Sequence, residues 1–183
     1  FEKAGYEISH GIIDSIWVQQ NGEDAESFEK VCKKVSDEIG IKLEPEYSFE
    51  WCAFVPRSSS EAKIGTLNRY FGKKKNGDFK TAGIEVEQSS SSQFVKDSQM
   101  EMIKALDKNM KPKNVVEVLE KRIKTLRDYE VSVDDLVIKK NTSKRLEDYQ
   151  VENRTVAALK RSHRHNIDVK PGQSVSFVVR NDD

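Results

Sequence analysis

Cysteine is nearly missing from this chain. Cys32 and Cys52 are the only two in 183 residues, too few for a disulfide framework, and neither sits in the Cys-x-x-Cys pair of a metal site. That usage fits a reducing, cytoplasmic setting. Long apolar runs are lacking too: no stretch approaches the ~20 residues needed to cross a bilayer, and no signal-peptide pattern is visible. No membrane partner is expected. Net charge is also absent, with 31 Lys and Arg against 31 Asp and Glu. There is no initiator Met either. The chain opens at Phe1, and Phe1-Glu2-Lys3-Ala4-Gly5 reads as the last turn of a helix closed by a glycine. The sequence therefore enters in mid-element and is expected to be a piece of something larger.

The zero balance conceals an asymmetry. Residues 1–92 hold 12 basic and 16 acidic side chains, whereas residues 93–183 hold 19 and 15. Most of the basic excess lies in 139–170, with nine basic and four acidic residues. An acidic half joined to a basic half suits a polyanionic partner.

The organising stretch is Tyr6 to Gln19, YEISHGIIDSIWVQ. Two strand-forming runs, Tyr6–Ile8 and Ile12–Val18, flank Ser9-His10-Gly11, which reads as the turn of a β-hairpin. Asp14 stands just past that turn among Ile12, Ile13, Ile16 and Trp17. A carboxylate in apolar company requires a cation, a donor or solvent beside it. Two readings follow: an acid facing water at the hairpin tip, or a metal ligand there.

After the turn Gln20-Asn21-Gly22, Asp24 is expected to cap a helix with Phe28, Val31, Cys32, Val35 and Ile39 at helical spacing and Gly40 at its end. Leu43–Val55 is extended and aromatic-rich, and beside the hairpin it would form a third strand, with Glu44 and Glu46 as edge glutamates. Asn68–Phe71 and Phe79–Val86 are strand candidates joined by KKKNGD, where Asn76-Gly77 signals a tight turn. Lys73, Lys74 and Lys75 read as a solvated turn. Gln88–Gln93 (QSSSSQ) marks a junction, and the pattern then becomes helical. Ser91 or Ser92 caps a helix with Phe94, Val95, Met102, Ile103, Leu106 and Met110 inward. Pro112 opens the next, with an apolar stripe of Val115, Val116, Leu119, Ile123, Leu126 and Tyr129. A short strand at Asp135–Lys140, a third helix from about Tyr149 to Arg164 and a strand at Val175–Val179 complete the order. His163 and His165 read as part of a basic surface rather than as metal ligands.

This order resembles the C-terminal palm and thumb of archaeal-type family B DNA polymerases. Their hairpin carries a YGDTDS-like motif, and His10-Gly11-Ile12-Ile13-Asp14-Ser15 is similar to it, with Asp14 on the second Asp and Ile12 in place of the first. Leu67-Asn68-Arg69-Tyr70 matches the second half of a KKRY-like element. Ala82-Gly83-Ile84-Glu85 is similar to the glycine-containing strand before the thumb, with Gln88-Ser89 where a basic pair usually follows. The thumb pattern runs from Leu119 through Asp128-Tyr129-Glu130, Asp135-Leu136-Val137-Ile138, Ser143-Lys144-Arg145-Leu146-Glu147-Asp148-Tyr149, Val156-Ala157 and Lys160-Arg161 to Val169-Lys170-Pro171-Gly172.

The resemblance implies an α+β fold. An antiparallel-sheet palm subdomain (its C-terminal part, with the motif C hairpin) spans 1–90, and an incomplete, mainly helical thumb spans 91–183. It implies two-metal nucleotidyl transfer with Mg²⁺, Asp14 being the catalytic, metal-binding residue. Primer–template DNA and dNTP would be the substrates. Arg69 and Tyr70 at the palm–thumb crevice, with Lys144, Arg145, Lys160, Arg161 and Lys170 on the thumb, would grip the duplex through its phosphates. The exonuclease domain, fingers and first palm Asp would come from a larger segment or chain, so the piece alone is expected to be inert. A second class of function stays open: a catalytically silent homologue kept for DNA binding or assembly, in keeping with Ile12 and the missing lysines and basic pair. A third is an unrelated α+β binding domain.

Overall fold

Glycines with positive φ punctuate the first elements. Gly5 (φ 86°) ends a 3-10 turn over Glu2–Ala4, and Gly40 (φ 70°) ends the first helix, both in the left-handed region that a side chain disfavours. The computed structural model describes residues 1–12, 15–22, 24–56 and 65–180. It divides into two units, Phe1–Ala82 and Gly83–Asp183. The α+β class expected from the sequence is present: every sheet is antiparallel, and the described residues include four α-helices.

In the first unit, β1 (Tyr6–Ile12) pairs antiparallel with β2 (Ser15–Gln20). The expected turn at Ser9-His10-Gly11 is not one. The strand runs straight through it, and the register shifts between Ile8 and His10. A bulge absorbs one extra residue without reversing the chain, so a polar Ser-His-Gly triplet can imitate a turn. Helix α1 (Phe28–Ile39) begins after Ser27, not at Asp24. The Ser27 hydroxyl donates to the Glu29 carboxylate over 2.7 Å. Of the expected stripe, Val31 and Cys32 are buried, while Ile39 is exposed. Tyr6 locks this helix start to the hairpin: its hydroxyl donates to the Glu26 carbonyl at 2.7 Å, and its ring lies 5.6 Å from that of Phe28.

β3 (Phe49–Pro56), β4 (Gly65–Lys74) and β5 (Phe79–Ala82) form a separate three-stranded sheet in that order. Among the described residues the expected third strand thus does not pair with the hairpin. β4 is ten residues long, long enough to pair along β3 and take one of its edges. Cys52 stands opposite Gly72, and a Cβ at Gly72 would lie 2.5 Å from the Trp51 carbonyl oxygen. The Asn76-Gly77 turn forms, with Gly77 at φ 91° and the Asp78 amide donating to Asn76 Oδ1. β5 stops at Ala82 because Gly83 turns to φ 61° and a 3-10 turn over Glu85–Glu87 follows.

In the second unit, α2 (Gln93–Asp107) starts after Ser92 and α3 (Pro112–Arg127) opens on Pro112. They are clasped by Arg122, which is bonded to Glu101 (2.6 Å) and lies over the Phe94 ring (5.8 Å), and by the Asn114 amide on the Ala105 carbonyl (3.2 Å). The face of α3 turned to α2 therefore carries Asn114, Val118 and Arg122. The expected apolar stripe lies a step round the helix and stays open: Val116, Leu119, Ile123 and Leu126 are 40–49% exposed, and Tyr129 is 93% exposed. Met110 is exposed as well, past the end of α2 with φ 55°.

The last part is a small α/β cluster. β6 (Ile138–Asn141) pairs antiparallel with β7 (Ser174–Phe177), and α4 (Arg154–Arg164) packs on β7. α4 is shorter than the expected Tyr149–Arg164, because Asn153 caps it by accepting from the Val156 amide at 3.0 Å. Val151 is left outside and exposed. Val156, Leu159 and Val175 form the core here. None of the described helices is long and apolar enough to cross a membrane.

Candidate functional site

The hairpin ladder ends on the Ile12–Ser15 pair. Asp14 lies outside the described residues. What the structure does give is the hairpin's support. Trp17 on β2 stacks on Phe49 (centroids 5.2 Å apart, planes at 24°) and meets Phe54 and Tyr70 edge-on at 5.3 and 4.9 Å. His10 on β1 approaches Phe54 at 5.5 Å, and its enclosed Nε2 has no hydrogen-bond partner among the described residues.

This cluster separates the two members of the Arg-Tyr pair. Neighbours on a strand point to opposite faces, so Tyr70 is half-buried behind the hairpin while Arg69 is exposed. Two of the turn lysines are engaged by the protein's own acids. Lys73 pairs with Glu50 and Lys74 with Asp78, each at 3.2 Å. Hydrogen bonds from Lys74 and Asn76 hold the Asp78 carboxyl below its ordinary value. Lys74 and Lys80 also lie over the Tyr47 ring at 5.7 and 5.3 Å.

In the second unit the basic candidates fall on three segments. Lys144 and Arg145 are exposed on the loop after β6, and Arg145 lies 4.0 Å from Glu147. Lys160 and Arg161 are on α4, exposed, and Lys160 is paired with Glu152. Lys170 is exposed on the turn before β7. His163 and His165 are exposed near the C-terminal end of α4.

Sequence reasoning missed what braces these segments. Thr142 is buried, and its hydroxyl reaches the carbonyls of Lys170 and Gln173 at 2.8 and 2.9 Å. The Tyr149 hydroxyl accepts from the Ser143 amide at 3.3 Å. No local pattern announces the Thr142 contacts, which join residues about 30 positions apart.

Among the described residues no three His, Cys, Asp or Glu side chains come together as a metal site. Both thiols are held toward their protonated form. Burial pushes Cys52 up to about 11 and raises Cys32, which the Glu29 carboxylate raises further.

No protein-family model matches the chain. It is similar to DNA polymerases of archaea: 26% identical over 178 residues to that of Thermococcus gorgonarius, which covers 97% of this chain and 22% of the relative. It is 28% identical over 166 residues to that of Thermococcus litoralis, covering 91% and 10%. The chain thus spans about a fifth or less of the relatives it matches. Its fold is similar to part of the family B DNA polymerase of the hyperthermophilic archaeon Pyrobaculum calidifontis, with TM-score 0.67 and 22% identity, covering all of this chain and 22% of that one. In both sequence and fold, this chain resembles archaeal family B DNA polymerases over almost its whole length and answers to only a part of theirs.

Proposed function

We propose that the chain is the C-terminal palm–thumb part of a family B DNA polymerase, working in template-directed DNA synthesis only together with a larger N-terminal part or subunit. Residues 1–90 are the palm part and 91–183 the thumb. The observation that supports this reading is the continuous match: 97% of the chain aligns with an archaeal DNA polymerase and all of it with a family B fold.

Asp14 would give one carboxylate to Mg²⁺. This ion is typically held by one or two protein carboxylates, with substrate phosphates and water filling the rest, so the remaining protein ligand could come from another segment. When bound, the metal pair would supply electrophilic stabilisation of the reacting phosphate. The chain's own task is grip. Arg69 projects from β4, while Tyr70 braces the hairpin from behind. Lys144, Arg145, Lys160, Arg161 and Lys170 neutralise duplex phosphates without reading sequence.

Primer extension with Mg²⁺ tests the reading. The isolated chain is expected to be inert, and synthesis is expected once the larger part is added. Extension by the chain alone would refute the dependence. The second reading, a silent homologue acting in DNA binding or assembly, is favoured by Ile12 where the resemblance places the first hairpin Asp. Asp14→Ala in the reassembled complex separates the two: synthesis lost with DNA binding kept supports the enzyme, whereas unchanged synthesis removes Asp14 from it.

A further inference from the structure

Thr142 is polar, yet it is only 2% exposed, and it sits where two basic segments meet in the backbone. Its hydroxyl has one proton to donate and two carbonyl oxygens within reach, those of Lys170 and Gln173. The backbone doubles the tie: the Thr142 amide donates to the Gln173 carbonyl and the Gly172 amide to the Thr142 carbonyl, each at 2.8 Å. The turn closes on itself through the Gln173 amide on the Lys170 carbonyl (3.0 Å) and the Lys170 amide on Gln173 Oε1 (2.8 Å). Just beyond Thr142, the loop bearing Lys144 and Arg145 is fixed by Ser143 on the Tyr149 hydroxyl and by the Asp148 amide on the Arg145 carbonyl (3.1 Å).

We propose that Thr142 is a positioning residue for duplex DNA. Its buried hydroxyl fixes the Lys170–Gln173 turn against the Lys144–Arg145 loop, so that their exposed cations meet the phosphates as a pre-set group. This rests on reading the second unit as the duplex-gripping thumb. The physical reason is preorganisation. A lysine on a loose turn must be ordered on binding, and that cost is subtracted from its phosphate contact. Holding the backbone beforehand removes part of it. Without the hydroxyl, the Gln173 carbonyl keeps the Thr142 amide and the Lys170 carbonyl keeps the Gln173 amide. The turn then loosens enough that Lys170 no longer keeps its phosphate contact, which removes that contact's share of the salt dependence without the fold being lost.

The test is binding of the full chain to a blunt DNA duplex of arbitrary sequence, followed by fluorescence anisotropy from about 50 to 200 mM salt. Lys170→Ala and Thr142→Val are each expected to lower the log–log salt slope by roughly 1, a change of about fourfold in relative affinity across that range. Thr142→Ser keeps the hydroxyl and the wild-type slope. Combining Thr142→Val with Lys170→Ala lowers it no further than Lys170→Ala alone. A merely structural threonine would lower the melting temperature and leave the slope untouched. A folded Thr142→Val chain with the wild-type slope, while Lys170→Ala lowers it, overturns the proposal. Thr142→Ala, which removes the same hydroxyl with a smaller side chain, decides the matter if Thr142→Val does not fold. A lowered slope supports the proposal and an unchanged one overturns it. Wild-type binding with no salt dependence, or none that Lys170→Ala alters, would instead defeat the thumb reading, and the role of Thr142 with it.

Discussion

The indole of Trp17 lies over the ring of Phe49 at 5.2 Å, with planes 24° apart, joining the hairpin to a sheet with which it shares no strand pairing among the described residues. With Phe54 and Tyr70 closing round the same indole, this side chain carries much of what orients β1 and β2. Replacing a core Trp or Phe by Ala costs ~3–5 kcal/mol. For half-buried Trp17, Trp17→Ala is expected to cost about 3 kcal/mol. Urea unfolding followed by circular dichroism measures it, and a loss below about 1 kcal/mol would mean that the stack does not support the hairpin.

Cys52 gives a pH dependence with a definite sign. Burial raises its thiol to about 11 from 9.0, so the folded chain holds this proton more tightly than the unfolded one. The contribution is therefore complete below pH 9 and declines as pH rises from about 9 to about 11, where the unfolded state ionises first. The difference in melting temperature between wild type and Cys52→Ala is expected to be flat up to pH 9 and to fall above it. Native-state alkylation of Cys52 at pH 8 is expected to be slow. A difference that stays constant through pH 11 would contradict the assignment.

Where the sequence was readable, the signal was local. Gly40, Pro112 and Asn76-Gly77 each fix a backbone conformation by their own chemistry, and the corresponding boundaries are where those residues stand. Ser9-His10-Gly11 misled because a bulge and a turn draw on the same small polar residues. α3 misled in another way: periodicity shows which side chains share a stripe but not whether anything covers it, and α2 grips the neighbouring face through Arg122 and Asn114. The helix expected from Tyr149 starts at Arg154 because the Asn153 cap outweighs the apolar Val151. For the candidate site, charge gave the basic residues. The support at Thr142 rests on long-range contacts that spacing does not encode, and the one at Tyr149 on a loop closure without a periodic signal.

The pairing of Lys160 with Glu152 leads to a prediction about DNA. If Lys160 grips duplex phosphates as proposed, its pairing with Glu152 partly withholds it from them, so Glu152→Gln is expected to tighten duplex binding and steepen its salt dependence by up to about 1 in slope. Glu120→Gln on α3 removes an equal charge elsewhere and serves as the control; it should leave the slope as it was. Equal effects from the two variants would reduce Lys160 to a contributor to general field strength. Anisotropy titrations at several salt concentrations make the comparison.

The open stripe on α3 and the closed core beside α4 make opposite claims about two aliphatic side chains. Ile123 is 40% exposed and Leu159 only 3%. Removing a buried Leu side chain loses its transfer energy and leaves a cavity, so Leu159→Ala is expected to cost about 2–5 kcal/mol. Ile123→Gln keeps most of the side-chain volume on a face left partly open among the described residues, so it is expected to stay within about 0.5 kcal/mol of wild type. Urea unfolding of both variants at one pH checks the pair. If Ile123→Gln proved as damaging as Leu159→Ala, the stripe would have to be buried in the folded chain, and the packing of α3 on α2 through Arg122 and Asn114 would need redrawing.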